Sequence, residues 1–193
     1  MQEMKLYELN ELQIRVSKDL LGCLESKYTE LWNSYNSLVD IEKELYNDKY
    51  YINLLLMENL KVYYDRFLKI CDFLVNKQDK EIYFKDSEFQ YHCKIEDLIN
   101  FLYKEGKFIV NYLYLFIEEV SARECFPNYD NNRLNKTTVN FLISIFYFMK
   151  IICKIINYKF NYQDKLDILI KTCNSYYMRS DDNIYYKYYW FYL

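Results

Sequence analysis

Glycine, proline, alanine and histidine are almost missing from this 193-residue chain. The glycines are Gly22 and Gly106; Pro127, Ala122 and His92 each stand alone in their type. Sheet-rich folds draw on many turn residues, which this composition does not supply. Two glycines cannot build a Gly-rich phosphate loop. One histidine removes most His-dependent metal sites and the helical Glu-x-x-His pattern of di-iron proteins. The scarce types have GC-rich codons, while Lys, Asn, Ile, Tyr and Phe, which dominate, have AT-rich ones. Much of the tyrosine content therefore follows from an AT-rich genome, such as those of many viruses, phages and low-GC bacteria.

What remains is a chain long enough to bury one sizeable core. Its net charge is −3, unevenly spread: residues 133–193 carry +5 and the rest −8. Such a balance predicts neither strong attraction to nucleic acid nor repulsion from it. The six cysteines, at 23, 71, 93, 125, 153 and 173, form no CxxC. Several sit in helical apolar patterns, which reads as thiols in a reducing compartment. The start, MQEMKLYELNEL, has early acids and no apolar run, unlike a signal peptide. The expected location is cytoplasmic, in the host cell if the source is viral.

The longest uncharged run lies within Asn135–Tyr158, between Thr137 and Met149. Its polar residues are Lys136, Asn140, Ser144, Tyr147, Lys150, Lys154 and Asn157. They recur at steps of three and four, the period of one helix face. The stretch therefore predicts a central helix over about 135–158, buried around most of its circumference, with one polar stripe and Asn135 as N-cap. Lysines near the middle of a membrane span would each cost about 2.5–3.5 kcal/mol. A soluble bundle with the stripe at its surface avoids that cost, so no transmembrane segment is expected.

Residues 4–46 read as one long helix. Leu21, Leu24, Tyr28, Leu31, Tyr35, Leu38 and Leu45 form a heptad-like seam, interrupted at Glu42. Such a seam at 21–45 fits an intramolecular helical hairpin or a homodimer. Asn47-Asp48 marks a turn, and a second helix is expected over 49–76. Residues 77–86 read as a loop. Ser87-Glu88-Phe89-Gln90 has the form of a capping box, which predicts a third helix from there to Ser121. It carries its own polar line, Asp97, Asn100, Lys104, Lys107, Asn111, Tyr114, Glu118 and Ser121, with Phe108 among the apolar residues on other faces. Residues 123–134 form a loop, and a last amphipathic helix is expected over 163–177. The predicted fold is all-α: a single-domain bundle of five to six helices spanning 1–193, with an aromatic segment at 183–193.

No catalytic set stands out. Glu88 precedes His92 by four residues, which would place both on one helix face, but a local hydrogen bond explains the pair. Adjacent His92 and Cys93 would point about 100° apart on a helix. Glu118, Glu119 and Glu124 read as a solvated face. No enzyme activity, cofactor or metal is expected. The terminal run contains Tyr185, Tyr186, Lys187, Tyr188, Tyr189 and Trp190. With Lys150 and Lys154 on the central stripe, these are the residues expected to meet a partner; the terminal rings could equally dock on the bundle itself. Aromatic stacking on single-stranded nucleic acid is worth about 1–3 kcal/mol per base. One lysine, however, is a thin electrostatic footprint.

The stretch Glu105-Gly106-Lys107-Phe108-Ile109-Val110 resembles the Gly-Arg-Ile-Val part of the groove motif of Bcl-2-like proteins. The preceding Asn-Trp and an upstream Leu-x-x-x-Gly-Asp are missing, no C-terminal anchor is expected, and the likeness covers six residues. It implies a helix-binding protein built around a buried central helix. The leading expectation is a non-enzymatic intracellular protein that binds another protein, in the form of a virus- or phage-encoded inhibitor or adaptor. RNA or single-stranded DNA binding through the basic, Tyr-rich C-terminal third is the alternative.

Overall fold

The computed structural model describes residues 3–46, 54–76, 81–85, 90–122 and 132–159. These are mostly helical, with two small hairpins. The elements in order are β1 (Lys5–Leu9), β2 (Leu12–Val16), α1 (Lys18–Tyr46), α2 (Leu54–Asn76), β3 (Glu81–Lys85), β4 (Gln90–Lys94), α3 (Ile95–Ala122) and α4 (Asn132–Ile156). The expected Asn47-Asp48 turn, the 163–177 helix and the 183–193 aromatic segment lie outside the described residues.

The helix expected over 4–46 is corrected at its start, where residues 5–16 form the antiparallel β1–β2 hairpin. In β2, LQIRV, apolar and polar residues alternate with the strand period of two. Ile14 and Val16 are fully buried, while Glu8 and Arg15 face outward. The two-residue turn places Asn10 in the left-handed region, at φ 53°, which Asn tolerates better than most side chains. Ser17 then caps α1. Its hydroxyl accepts the Leu20 N–H at 3.1 Å, and its carbonyl accepts the Leu21 N–H at 3.0 Å.

The second hairpin displaces two further expectations. Residues 81–85, read as loop, are β3, and residues 90–94, read as helix, are β4. They pair with Glu81 opposite Lys94 and Tyr83 opposite His92. His92 thus sits on a strand, so its supposed helical spacing from Glu88 does not apply. The capping function expected at 87–90 appears at the true start of α3, where Asp97 Oδ2 accepts the Lys94 backbone N–H at 3.2 Å. An acid at the third helical position reaching back to the cap residue is one half of a capping box.

α4 starts at Asn132, so Asn135 lies inside the first turn and is not the N-cap. The Thr137 and Thr138 hydroxyls donate to the carbonyls of Arg133 and Leu134, four residues back. The other end closes where Asn157 turns left-handed at φ 48° and the Tyr158 N–H reaches the Cys153 carbonyl at 3.0 Å. This six-residue closure is a Schellman motif, with Asn in the place glycine usually takes. It explains how a chain so poor in glycine stops a long helix.

The chain divides into two compact units, and α1, α3 and α4 each contribute a segment to both. The first takes in Met1–Ser26, Leu55–Tyr112 and Met149–Tyr158. Its core is mainly aliphatic: Ile14, Leu24, Leu60, Ile70, Leu102, Ile109, Ile152 and Ile155 are buried, with Phe67 among them. The Tyr7 hydroxyl donates to the Leu74 carbonyl at 2.6 Å, satisfying one of the last acceptors of α2. The second unit takes in Lys27–Leu54 and Leu113–Phe148. Its core is rich in rings. Tyr35 lies 6.0 Å from Phe141 and 5.8 Å from Trp32, and Tyr28 lies 5.7 Å from Phe148, centroid to centroid.

The seam residues Leu21, Leu24, Leu31, Tyr35 and Leu38 are buried within the single chain, and so is Glu42, which interrupts them. On α4 the stripe surfaces at Lys136, Lys154 and Asn157, while Ser144 is buried. The stretch Lys136–Ile156 has the length and composition of a membrane span, and it is mostly buried.

Candidate partner-binding surfaces

Three surface features of the first unit carry recognisable chemistry. One is an aromatic cluster where α2 and α3 meet. Phe108, expected among the apolar faces of its helix, is 44% exposed, and Val62 is 53% exposed. The Tyr63 ring lies 4.6 Å from Phe108 and 6.0 Å from Tyr112, and Phe108 stacks on Tyr112 at 5.7 Å. Burial pushes the Tyr112 phenol above its ordinary range. Residues 108 and 112 share a face of α3 by their spacing of four. Tyr114, counted in the polar line, is buried instead. Periodicity places a residue on a face; it does not say how far the neighbouring helix covers that face.

The second feature is a cation between rings. Lys107 Nζ lies 5.6 Å from the Tyr103 centroid and 5.2 Å from that of Tyr158. The Schellman closure of α4 places Tyr158 there, 6.3 Å from Tyr103. Such contacts are worth about 0.5–1 kcal/mol when exposed.

The third is a groove of about 460 Å³ between α1 and α2, lined by Lys18, Leu21, Gly22 and Glu25 on one side and Leu68, Lys69 and Asp72 on the other. The four charged residues are exposed at its rim, and Leu21 is buried at its floor. Cys71, next to the rim in sequence, faces the interior. Burial, helped by the neighbouring Asp72 charge, pushes its thiol far above the ordinary range.

Beneath these surfaces, Arg66 donates to Glu105 Oε1 at 3.2 Å, with side chains only 20% and 11% exposed. Glu105 Oε2 is buried without a hydrogen-bond partner among the described residues. Next to it, Gly106 admits a close contact. A Cβ there would stand 2.8 and 2.9 Å from two Ile156 side-chain carbons and 3.1 Å from Phe67.

Of the residues expected to meet a partner, Lys150 is half-buried on α4 and Lys154 is exposed on its last turn. Tyr185, Tyr186, Lys187, Tyr188, Tyr189 and Trp190 lie outside the described residues. The aromatic cluster and the groove were not singled out from sequence. Gly22, a helix-breaking residue between two leucines and a cysteine, was the one signal that could have marked the groove. Among the described residues no three His, Cys, Asp or Glu side chains gather to hold a metal ion. Comparison with protein-family models, curated proteins and solved structures finds no match to this chain.

Proposed function

We propose that this chain is a non-enzymatic protein-binding protein of a reducing intracellular compartment, built as a helical bundle whose surface presents apolar anchors. The observation that carries the reading is Phe108, held at the surface between Tyr63 and Tyr112 beside exposed Val62. Aromatic side chains held rigidly at a surface supply contact area at low entropic cost and dominate many interfaces. A virus- or phage-encoded inhibitor or adaptor is the form this reading takes, given the AT-rich composition. The test is retention of proteins from an extract of the producing cells on immobilised chain and on its Phe108→Glu variant. Proteins held by the first and lost from the second, with folding intact by circular dichroism, support the reading. Turnover of a nucleotide, RNA or ester substrate, abolished by one substitution, overturns it.

The Lys107 contacts with Tyr103 and Tyr158 favour a second reading, RNA or single-stranded DNA binding through basic and aromatic residues. Titration of both polymers at rising salt separates the two. Binding through phosphates weakens steeply as salt is added, whereas no binding at low salt removes this reading.

A further inference from the structure

Tyr103 and Tyr158 meet edge-on at 6.3 Å, and Lys107 Nζ lies 5.6 and 5.2 Å from their centroids. These contacts fix the end of α4 against one face of α3. Tyr103 and Lys107 are one turn apart on α3, and Lys104 and Lys107, three apart, both belong to its polar line. On the other side, the Asn157 amide donates to Gln13 Oε1 of β2 at 3.1 Å. Lys154 precedes Asn157 by three residues, so it shares that side of α4. The end of α4 thus lies between α3 and the first hairpin, with lysines from both helices flanking the ring pair.

These cations are not neutralised by the fold. Among the described residues no carboxylate pairs with Lys104, Lys107 or Lys154, whereas Lys27, Arg66 and Arg133 each hold an acid. Glu105, next to Lys104 in sequence, turns inward to Arg66. Glu8 accepts from the Gln13 amide, and Arg15, on the Gln13 face of β2, offsets its charge. The end of α4 itself carries about −0.5 of an elementary charge, far less than the lysines supply. Lys104 and Lys154 are exposed, and Tyr103, Lys107 and Tyr158 are half-buried. The surface is thus locally positive on a chain of net charge −3, which selects a polyanion as its occupant.

We infer that single-stranded nucleic acid binds across this surface, with its phosphates on Lys104, Lys107 and Lys154 and its unpaired bases on the Tyr103 and Tyr158 rings. Lysine charge alone serves an acidic peptide equally well. The rings among the lysines favour bases, each of which has a face to stack. A base stacked on tyrosine contributes more than the exposed cation–ring contact it displaces, and the released Lys107 ammonium turns to a phosphate. A duplex keeps its bases paired and offers this surface only its backbone. This inference rests on the nucleic-acid reading and assigns it a surface.

The test is fluorescence anisotropy of labelled oligouridine and oligothymidine with the full chain at low salt, beside polyglutamate of equal charge. Both oligonucleotides should bind, and polyglutamate at least tenfold more weakly. Lys104→Glu with Lys154→Glu should weaken oligonucleotide binding at least tenfold. It should also reduce the slope of log affinity against log salt by about 1.4, from about 0.7 for each lysine. Lys18→Glu with Lys61→Glu makes the same charge change at exposed positions elsewhere and should alter affinity less than about threefold. Tyr158→Leu should weaken binding at least threefold and leave the salt slope unchanged. All four lysines are exposed, so both double variants should fold; circular dichroism checks this. Equal losses in the two double variants overturn the surface while the nucleic-acid reading stands. Polyglutamate bound as tightly as the oligonucleotides, or unchanged binding in Tyr158→Leu, overturns the inference in favour of an acidic protein segment. No binding of either oligonucleotide at low salt overturns both the surface and the reading beneath it.

Discussion

The two units solve the same packing problem with different side chains. The first fills its interior with Leu and Ile and lets helices approach closely through Gly106. The second sets tilted and edge-on rings against one another, with Tyr35, Phe141 and Phe148 almost wholly buried. Their polar contacts differ in the same way. The first holds a part-buried ion pair, Arg66–Glu105, whereas in the second the described ion pairs, Lys27–Glu30 and Arg133–Glu44, are more exposed and the part-buried contact is a hydroxyl pair, Ser34 and Ser144, with oxygens 2.8 Å apart. Each of those hydroxyls also lies within donor reach of a carbonyl on its own helix, Glu30 and Asn140. With one proton apiece, two of these three bonds form at a time. The interior of the first unit thus combines close approach with a part-buried charge pair, while that of the second is built on ring contacts.

The largest effect should come from truncating a ring in either core. Phe67→Ala and Phe141→Ala each leave a cavity and should lower unfolding free energy by about 3–5 kcal/mol, read from urea denaturation. If Phe141→Ala costs under about 1 kcal/mol, rings are not what holds the second unit. Gly106→Val should follow, with a loss of about 1–3 kcal/mol from overpacking. The close Ile156 branch carbon cannot swing away as a chain end can. A neutral result would mean the spacing at Gly106 is loose.

Removing one partner of the ion pair should cost about 2 kcal/mol in Arg66→Met, because the part-buried Glu105 loses the Arg66 guanidinium. Adding Glu105→Leu should restore most of that loss. A double variant as unstable as the single one would show that shape, not charge, governs the site.

The Cys71 thiol gives a pH test of the same interior. Its proton is held more tightly in the folded chain than in the unfolded one. Its contribution is whole below the ordinary thiol range. It declines as pH rises above about 9, where the unfolded thiol ionises first. The slope is about 1 kcal/mol per pH unit. Cys71→Val should flatten that part of the stability profile between pH 8 and 10; an unchanged slope assigns it to other groups. The smallest effect should be Ser34→Ala, at about 1 kcal/mol or less, since Ser144 keeps the Asn140 carbonyl as acceptor. A loss near that of Arg66→Met would erase the contrast between the two kinds of polar contact.

Long periodic segments were legible in the amino-acid order. The body of α1, the middle of α2 and nearly all of α4 follow from steps of three and four. Those steps persist over many turns, and only a helix satisfies them. The hairpins were missed for a local reason. Five-residue strands show too few periods to outweigh helix-like neighbours, and both lie directly against helices, so their alternation merges into the longer pattern. Helix ends slipped because several Asn, Ser and Asp residues can cap, and the chain's fold chooses among them. The candidate surfaces were less legible still. Phe108 and Tyr114 exchange their expected exposure, and the groove joins residues about 45 positions apart along the chain.

The sequence by itself determined that this is a mostly helical protein with a helix in its last third that is apolar around most of its circumference. That follows from periodicity and from the lack of turn-forming residues, both local properties of the chain. Only the tertiary structure decided which polar residue of that helix is buried, which phenylalanine stays at the surface, and which glycine the packing requires. Burial and close approach depend on what a distant segment brings to the same place. Gly22 and Gly106 read alike as letters within helices; the Ile156 and Phe67 side chains beside one, and the open groove beside the other, make them different.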